Sequence, residues 1–262
     1  MNELAYDFMF FRFTRPADAD AWSIFAIDQI ECHGDAPSLI GGKKSGWVKA
    51  PKDRATLIQK IAASNNRSIQ GGKNPRSDDP IDGWGIYASA TDFGANLCRY
   101  RESPGHLHDW MASVARKLAD ISEISHGFGY SGRSPKDVFF GMGMSAGKPS
   151  AELAPIFSDE EKVARWFRAC MWNTDVGYIR DAFPVNILSN VFLETALPGM
   201  EMTKVLAKYG GLTQVENELH LWSIETEENR SKASSFLAEH HLSVSSHPYG
   251  SYSQLKGNTS RP

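Results

Sequence analysis

Cysteine is scarce in this chain: Cys32, Cys98 and Cys170 are its three, an odd number without C-x-x-C spacing. That count excludes a disulfide framework and a paired-thiolate metal site, and it fits a reducing compartment. Long apolar runs are missing too, since those at Phe8 to Phe13 and Val138 to Met144 fall far short of the roughly 20 residues of a spanning helix. The opening residues, Met-Asn-Glu-Leu-Ala-Tyr-Asp, carry acids where a secretion signal has bases and an apolar stretch. A cytoplasmic protein without membrane contact is the expectation. An excess of positive charge is also lacking; the net charge of −3 argues against a general nucleic-acid binder. No fixed-period repeat or sustained heptad occurs, which sets aside solenoids and coiled coils.

What is present is core-forming material. Apolar residues make up 41% of 262 positions, with 14 Phe, 8 Tyr and 7 Trp, enough for one domain or two closely packed lobes over residues 1–242. Residues 243–262 hold six Ser, two Pro and two Gly and read as a loosely attached tail. Charge is unevenly spread: residues 1–149 carry 18 basic and 17 acidic groups, whereas residues 150–242 carry 8 and 14. Such an acidic half suits docking on a basic partner.

Aromatics at alternating positions predict a strand over residues 5–13, ended by Thr14-Arg15-Pro16, and a helix follows through Trp22, Phe25 and Ile30. Glycines and prolines mark Cys32 to Pro51 and Ser64 to Pro80 as loops, with a helix from Asp53 to Ala63 between them. Residues 83–90 and 95–102 read as a strand pair. Leu107, Trp110, Met111, Val114, Leu118 and Ile121 keep helical spacing from Leu107 to Ile124. The capping box Ser158-Asp159-Glu160-Glu161 opens a helix over 159–172. Residues 185–193 are apolar and of ambiguous type, 202–208 a short helix, 212–215 with 219–224 a hairpin, and 226–240 a closing helix. Mixed order of helices and strands predicts an α+β fold rather than a doubly wound sheet.

Several short motifs compete for attention. Gly143-Met144-Ser145-Ala146-Gly147 matches the nucleophile elbow of serine hydrolases, with Asp175 or Asp181 and His220, His240 or His241 available in the right order. The polar Lys148-Pro149-Ser150 stands where the buried helix of a hydrolase belongs, and no His-Gly oxyanion segment precedes it. Gly127-Phe128-Gly129-Tyr130-Ser131-Gly132 satisfies G-x-G-x-x-G, but a helix precedes it where a dinucleotide site needs a strand, so a glycine-built turn is expected. Gly42-Lys43 and Gly72-Lys73 lack the rest of a P-loop. His106-Leu107-His108-Asp109 is too small a cluster for a metal site, and His240-His241 suits the negative end of a helix. No cofactor or metal is expected. Trp84, Trp172 and Trp222 adjoin polar or acidic residues and are the tryptophans most suited to partner contact.

The stretch from Trp84 to Leu242 resembles the immunity protein 52 family of bacterial polymorphic-toxin systems and its type VI secretion neighbours. The resemblance rests on the aromatic-rich segment after the central helix, Pro184-Val185-Asn186-Ile187-Leu188, and Tyr209-Gly210-Gly211-Leu212 leading into Leu219-His220-Leu221-Trp222-Ser223-Ile224. It does not extend to residues 1–83 or the tail. It implies a non-enzymatic cytoplasmic protein that neutralises one cognate toxin, often a nuclease. Glu216, Glu218, Glu225, Glu227 and Glu228, around the hairpin and the last helix start, are then the acids suited to steer a basic toxin, with Trp222 anchoring them. A serine hydrolase using Ser145 and a non-catalytic adaptor are the alternatives.

Overall fold

The computed structural model describes residues 6–42, 46–64, 66–72, 85–100, 107–133, 166, 169, 170, 178–195, 197 and 199–244. Its centre is β1, Tyr6–Phe13, in which every residue is buried. Alternation sends Met9, Phe11 and Phe13 to one face of the sheet and Tyr6, Phe8 and Phe10 to the other, so a strand with two apolar faces needs cover on both. β1 pairs with β6 (Gly94–Tyr100) on one side and β7 (Ile124–Gly132) on the other. With β2 (Pro37–Gly41), β3 (Trp47–Lys49), β4 (Ile69–Gly71), β5 (Ile86–Thr91), β8 (Val185–Ser189), β9 (Gly211–Glu216) and β10 (Leu219–Ser223), they form one ten-stranded sheet. Its order is β3-β2-β4-β5-β6-β1-β7-β8-β10-β9, and the named pairings are antiparallel. The architecture is α+β.

Among the described residues, three helices cover the first face: α1 (Ala19–Cys32), α2 (Arg54–Ala62) and α3 (Leu107–Ala119). Trp22, Ile27, Leu57, Met111 and Leu118 join Met9 and Phe11 in one core. On the opposite face Trp166, Cys170 and Phe183 lie over the central strands. Leu188 of β8 and Trp222 of β10 pack there in a third cluster with α4 (Asn190–Thr195), α5 (Met202–Leu206) and α6 (Glu227–Glu239). The buried Arg180 guanidinium stacks on Trp166 and Phe128 at 4.2 and 4.8 Å, and burial pulls its pKa down to about 10.

Two expected loops contain strands. β2 and β3 lie in 32–51 and β4 in 64–80, because the glycines there serve packing as well as turning. A Cβ on Gly71 would sit 2.4 Å from Ile30 Cγ2 and 2.8 Å from the Ala36 carbonyl oxygen. The glycine series at 127–132 is likewise strand β7 rather than a turn. A Cβ on Gly127 would meet the Phe10 carbonyl oxygen at 2.8 Å, and one on Gly129 would meet Met111 Sδ at 3.0 Å, so glycine lets β1 and α3 close on β7. The helix expected to Ile124 stops at Ala119, and Ile124 already pairs with Phe13. The ambiguous 185–193 segment splits into β8 and α4. Of the helix over 159–172, Trp166, Ala169 and Cys170 are described and helical.

The tail boundary also moves. Ser243 and Val244 are buried, and Val244 donates its amide to the Ile179 carbonyl at 2.8 Å while Ile179 donates to Leu242 at 3.2 Å. A chain ending at Leu242 is therefore expected to be about 2 kcal/mol less stable in urea than one ending at Val244, the value of burying one valine. Equal midpoints for the two would remove Val244 from the core.

Candidate functional site

The β1–β7 pairing brings distant connections to one end of the sheet. Thr14, Arg15 and Pro16 leave β1 there, Ala119 to Glu123 join α3 to β7, β8 runs into α4, and the β9–β10 turn projects beside them. Between these segments lies a cleft of about 880 Å³. Among the described residues, Asp18, Asp120, Glu123, Glu216 and Glu218 line it, against the single basic residue Arg15. Tyr178, Phe192 and the exposed Val191 add apolar surface.

These carboxylates have different duties. Asp18 caps α1, accepting the Asp20 and Ala21 amides at 3.1 and 2.9 Å. Glu123 accepts Arg15 Nε and Nη2 at 3.1 and 2.8 Å, and the arginine's hydrogen bonds hold its carboxyl below the ordinary glutamate range. Both partners are largely exposed, so this ion pair contributes little, about 0–1 kcal/mol. Glu216 Oε1 accepts the Asn217 amide at 3.3 Å. Asp120 and Glu218 are exposed with no ion pair among the described residues. No group of three His, Cys, Asp or Glu side chains converges as for a metal among the described residues. The arrangement acts as a diffuse negative field rather than a coordination shell.

The five glutamates expected to steer a basic toxin divide into two sets. Glu216 and Glu218 stand at the cleft, whereas Glu225, Glu227 and Glu228 lie past the far end of β10, roughly 20 Å away at about 3.3 Å per strand residue. Two of the second set are matched within α6. Glu227 binds Arg230, with Nε to Oε2 at 2.9 Å, and Glu228 binds Lys232 at 2.6 Å, which holds the Glu228 carboxyl below its ordinary range. Glu225 is exposed. Trp222 cannot touch a partner: it is fully buried, and its Nε1 donates to the Leu206 carbonyl at 3.1 Å. Asp18, Asp120 and Glu123 were not legible as site residues, because only the sheet pairing places them beside the β9–β10 turn.

Of the competing motifs, Ser145 with its glycines, Asp175, His106, Lys43, Lys73, Trp84 and Trp172 lie outside the described residues. Asp181 accepts the Ala182 amide at 2.8 Å, His220 sits in β10 between Leu188 and Gln214, and His240 caps the C-terminus of α6. His108 Nδ1 lies 3.1 Å from Asp109 Oδ1 in the first turn of α3.

No family model matches the chain, and no curated protein matches it. Among solved structures, the chain is similar to a Pseudomonas aeruginosa T6SS protein, PA0821. The two share 10% identity and a TM-score of 0.49, over 92% of this chain and 73% of that protein.

Proposed function

We propose that this chain is a non-catalytic immunity protein, which binds a toxin of a type VI secretion system in the producing cell's cytoplasm and blocks it. The observation that carries this reading is the cleft whose rim, among the described residues, holds five carboxylates against one arginine. A nuclease toxin presents a basic face to its own substrate, and an acidic cleft complements such a face. The resemblance of Trp84 to Leu242 to the immunity protein 52 family supports the same reading. Exposed charges of this kind act mainly on the association rate, within a Debye length of about 10 Å at 0.1 M salt.

Co-expression with the effector encoded beside the gene tests it. The effector alone should kill, the pair should survive, and the two proteins should purify as a complex of defined stoichiometry. Reversing Asp120, Glu216 and Glu218 together to lysine should slow association about tenfold at low salt and much less at high salt. Reversing Glu225, Glu227 and Glu228 should matter less, because two of them are already matched within α6. If no neighbouring effector is toxic or bound, the immunity reading falls; if the cleft reversal leaves the rate unchanged, the cleft is the wrong surface. Fluorophosphonate labelling that disappears in Ser145→Ala would overturn the non-catalytic assignment in favour of a hydrolase.

A further inference from the structure

β9 ends the sheet, with β10 its neighbour on one side and no further strand on the other among the described residues. Two hydrogen bonds fix which of its backbone groups face outward. Asn190 N donates to the Glu218 carbonyl and Ile224 N to the Pro184 carbonyl, both at 2.9 Å, so the even-numbered residues of β10 turn their main chain toward β8. By the alternation of an antiparallel ladder, Leu219, Leu221 and Ser223 turn toward β9 and engage Glu216, Thr213 and Gly211. The N–H and C=O of Leu212 and Gln214 therefore point away from the sheet. A bulge follows at Val215, whose carbonyl takes the Arg116 Nε at 2.9 Å, so the open edge runs from Gly211 to Gln214 and then meets the cleft at Glu216.

Natural sheets guard such edges with lysine, proline or inward charges. The opposite edge, β3, is three residues long and carries Lys49. The β9 sequence, Gly-Leu-Thr-Gln-Val-Glu, has none of these guards along its open part, and Gly211, Thr213 and Gln214 are exposed. We propose that this edge is a docking site for an extended basic segment of a partner protein, added as a further strand whose lysine- or arginine-bearing end passes Glu216 into the cleft. Main-chain hydrogen bonds to Leu212 and Gln214 give the attachment, and Asp120, Glu216 and Glu218 select the charge. A second copy of this chain would bring the same surplus of carboxylates to the join, so a basic partner is the better match. The inference deepens the immunity reading in naming how a toxin is held; the edge and its charge preference are testable without any toxin.

The probe is a short synthetic peptide alternating lysine with threonine and valine, compared with the same peptide carrying glutamate in place of lysine. The basic peptide should bind, slow amide exchange at Leu212 and Gln214 by about tenfold or more, and lose affinity as salt rises. Gln214→Pro removes an outward N–H while leaving the bonds to β10, and should weaken binding about tenfold with the thermal midpoint held. Exchange in the unaltered protein decides the matter even if that variant fails to fold. No binding, equal binding of the acidic peptide, or binding without protection at Leu212 and Gln214 would each overturn the proposal, as would a dimer of this chain that Gln214→Pro dissolves. Cell protection by a Gln214→Pro chain as strong as that of the unaltered one would sink the edge and leave the immunity reading standing. Peptide docking with no toxic neighbouring effector would do the reverse.

Discussion

Trp222→Ala is expected to lower stability by about 3–5 kcal/mol in equilibrium urea unfolding, with little change in the affinity of the molecules that stay folded. The side chain is fully buried among Leu188, Met202, Leu206, Ala233 and Leu237, and its Nε1 is tied to the Leu206 carbonyl. Truncation leaves a large void between β10 and the layer of α5 and α6, and it removes one hydrogen bond from a carbonyl that still accepts the Tyr209 and Gly210 amides at 3.0 and 3.2 Å. Domains of ordinary stability hold about 5–15 kcal/mol, so about a fifth or more of the total rests on one residue. A loss below about 1 kcal/mol would mean that the layer collapses onto the gap. Weakened binding by well-folded Trp222→Ala molecules would restore the residue as a contact.

Trp222 shows where sequence reasoning reaches its end. Its polar and acidic neighbours suggested a tryptophan open to partner contact, but β10 lies between two helical layers. Leu221 packs in the core shared with α3, and Trp222 packs with α5 and α6. Elements with a period or a cap were legible. Asp53 accepts the Thr56 amide at 2.8 Å and opens α2, and Thr226 accepts the Asn229 amide at 3.2 Å and opens α6. Strands of three residues such as β3 and β4 have no room to display a period, and glycines selected for close packing imitate turn signals. The cleft was half visible. Glu216 and Glu218 announced themselves as acids at a turn, whereas Asp18 and Glu123 lie 105 positions apart and meet because β1 pairs with β7. The open edge of β9 was invisible for a related reason: strand order places β1 in the middle of the sheet and β9 outermost, and no local pattern encodes that order.

Asp7→Ala should also be severe, at about 3–5 kcal/mol, because it leaves a guanidinium without its counter-charge. Asp7 sits on β1 opposite Arg99 of β6 and Ser131 of β7, with its side chain wholly buried. Arg99 Nε and Nη2 reach its Oδ2 at 3.1 and 3.0 Å, and Ser131 Oγ donates to Oδ1 at 2.7 Å. Arg99 in turn lies over the Trp110 ring at 4.2 Å, so one carboxylate ties three strands to α3. A charged network of this kind is expensive to break from one end. Asp7→Ala combined with Arg99→Ala should therefore cost less than the two single losses added together, by about 1–3 kcal/mol of coupling, read as midpoint and slope in urea. Strict additivity would show that the two charges are held independently by their surroundings. The network lies at the opposite end of β1 from the cleft, so these variants should bind the basic peptide with unchanged affinity wherever they remain folded. Loss of stability and loss of docking then separate cleanly, the first tracking Asp7 and Trp222 and the second tracking Gln214, Glu216 and Glu218.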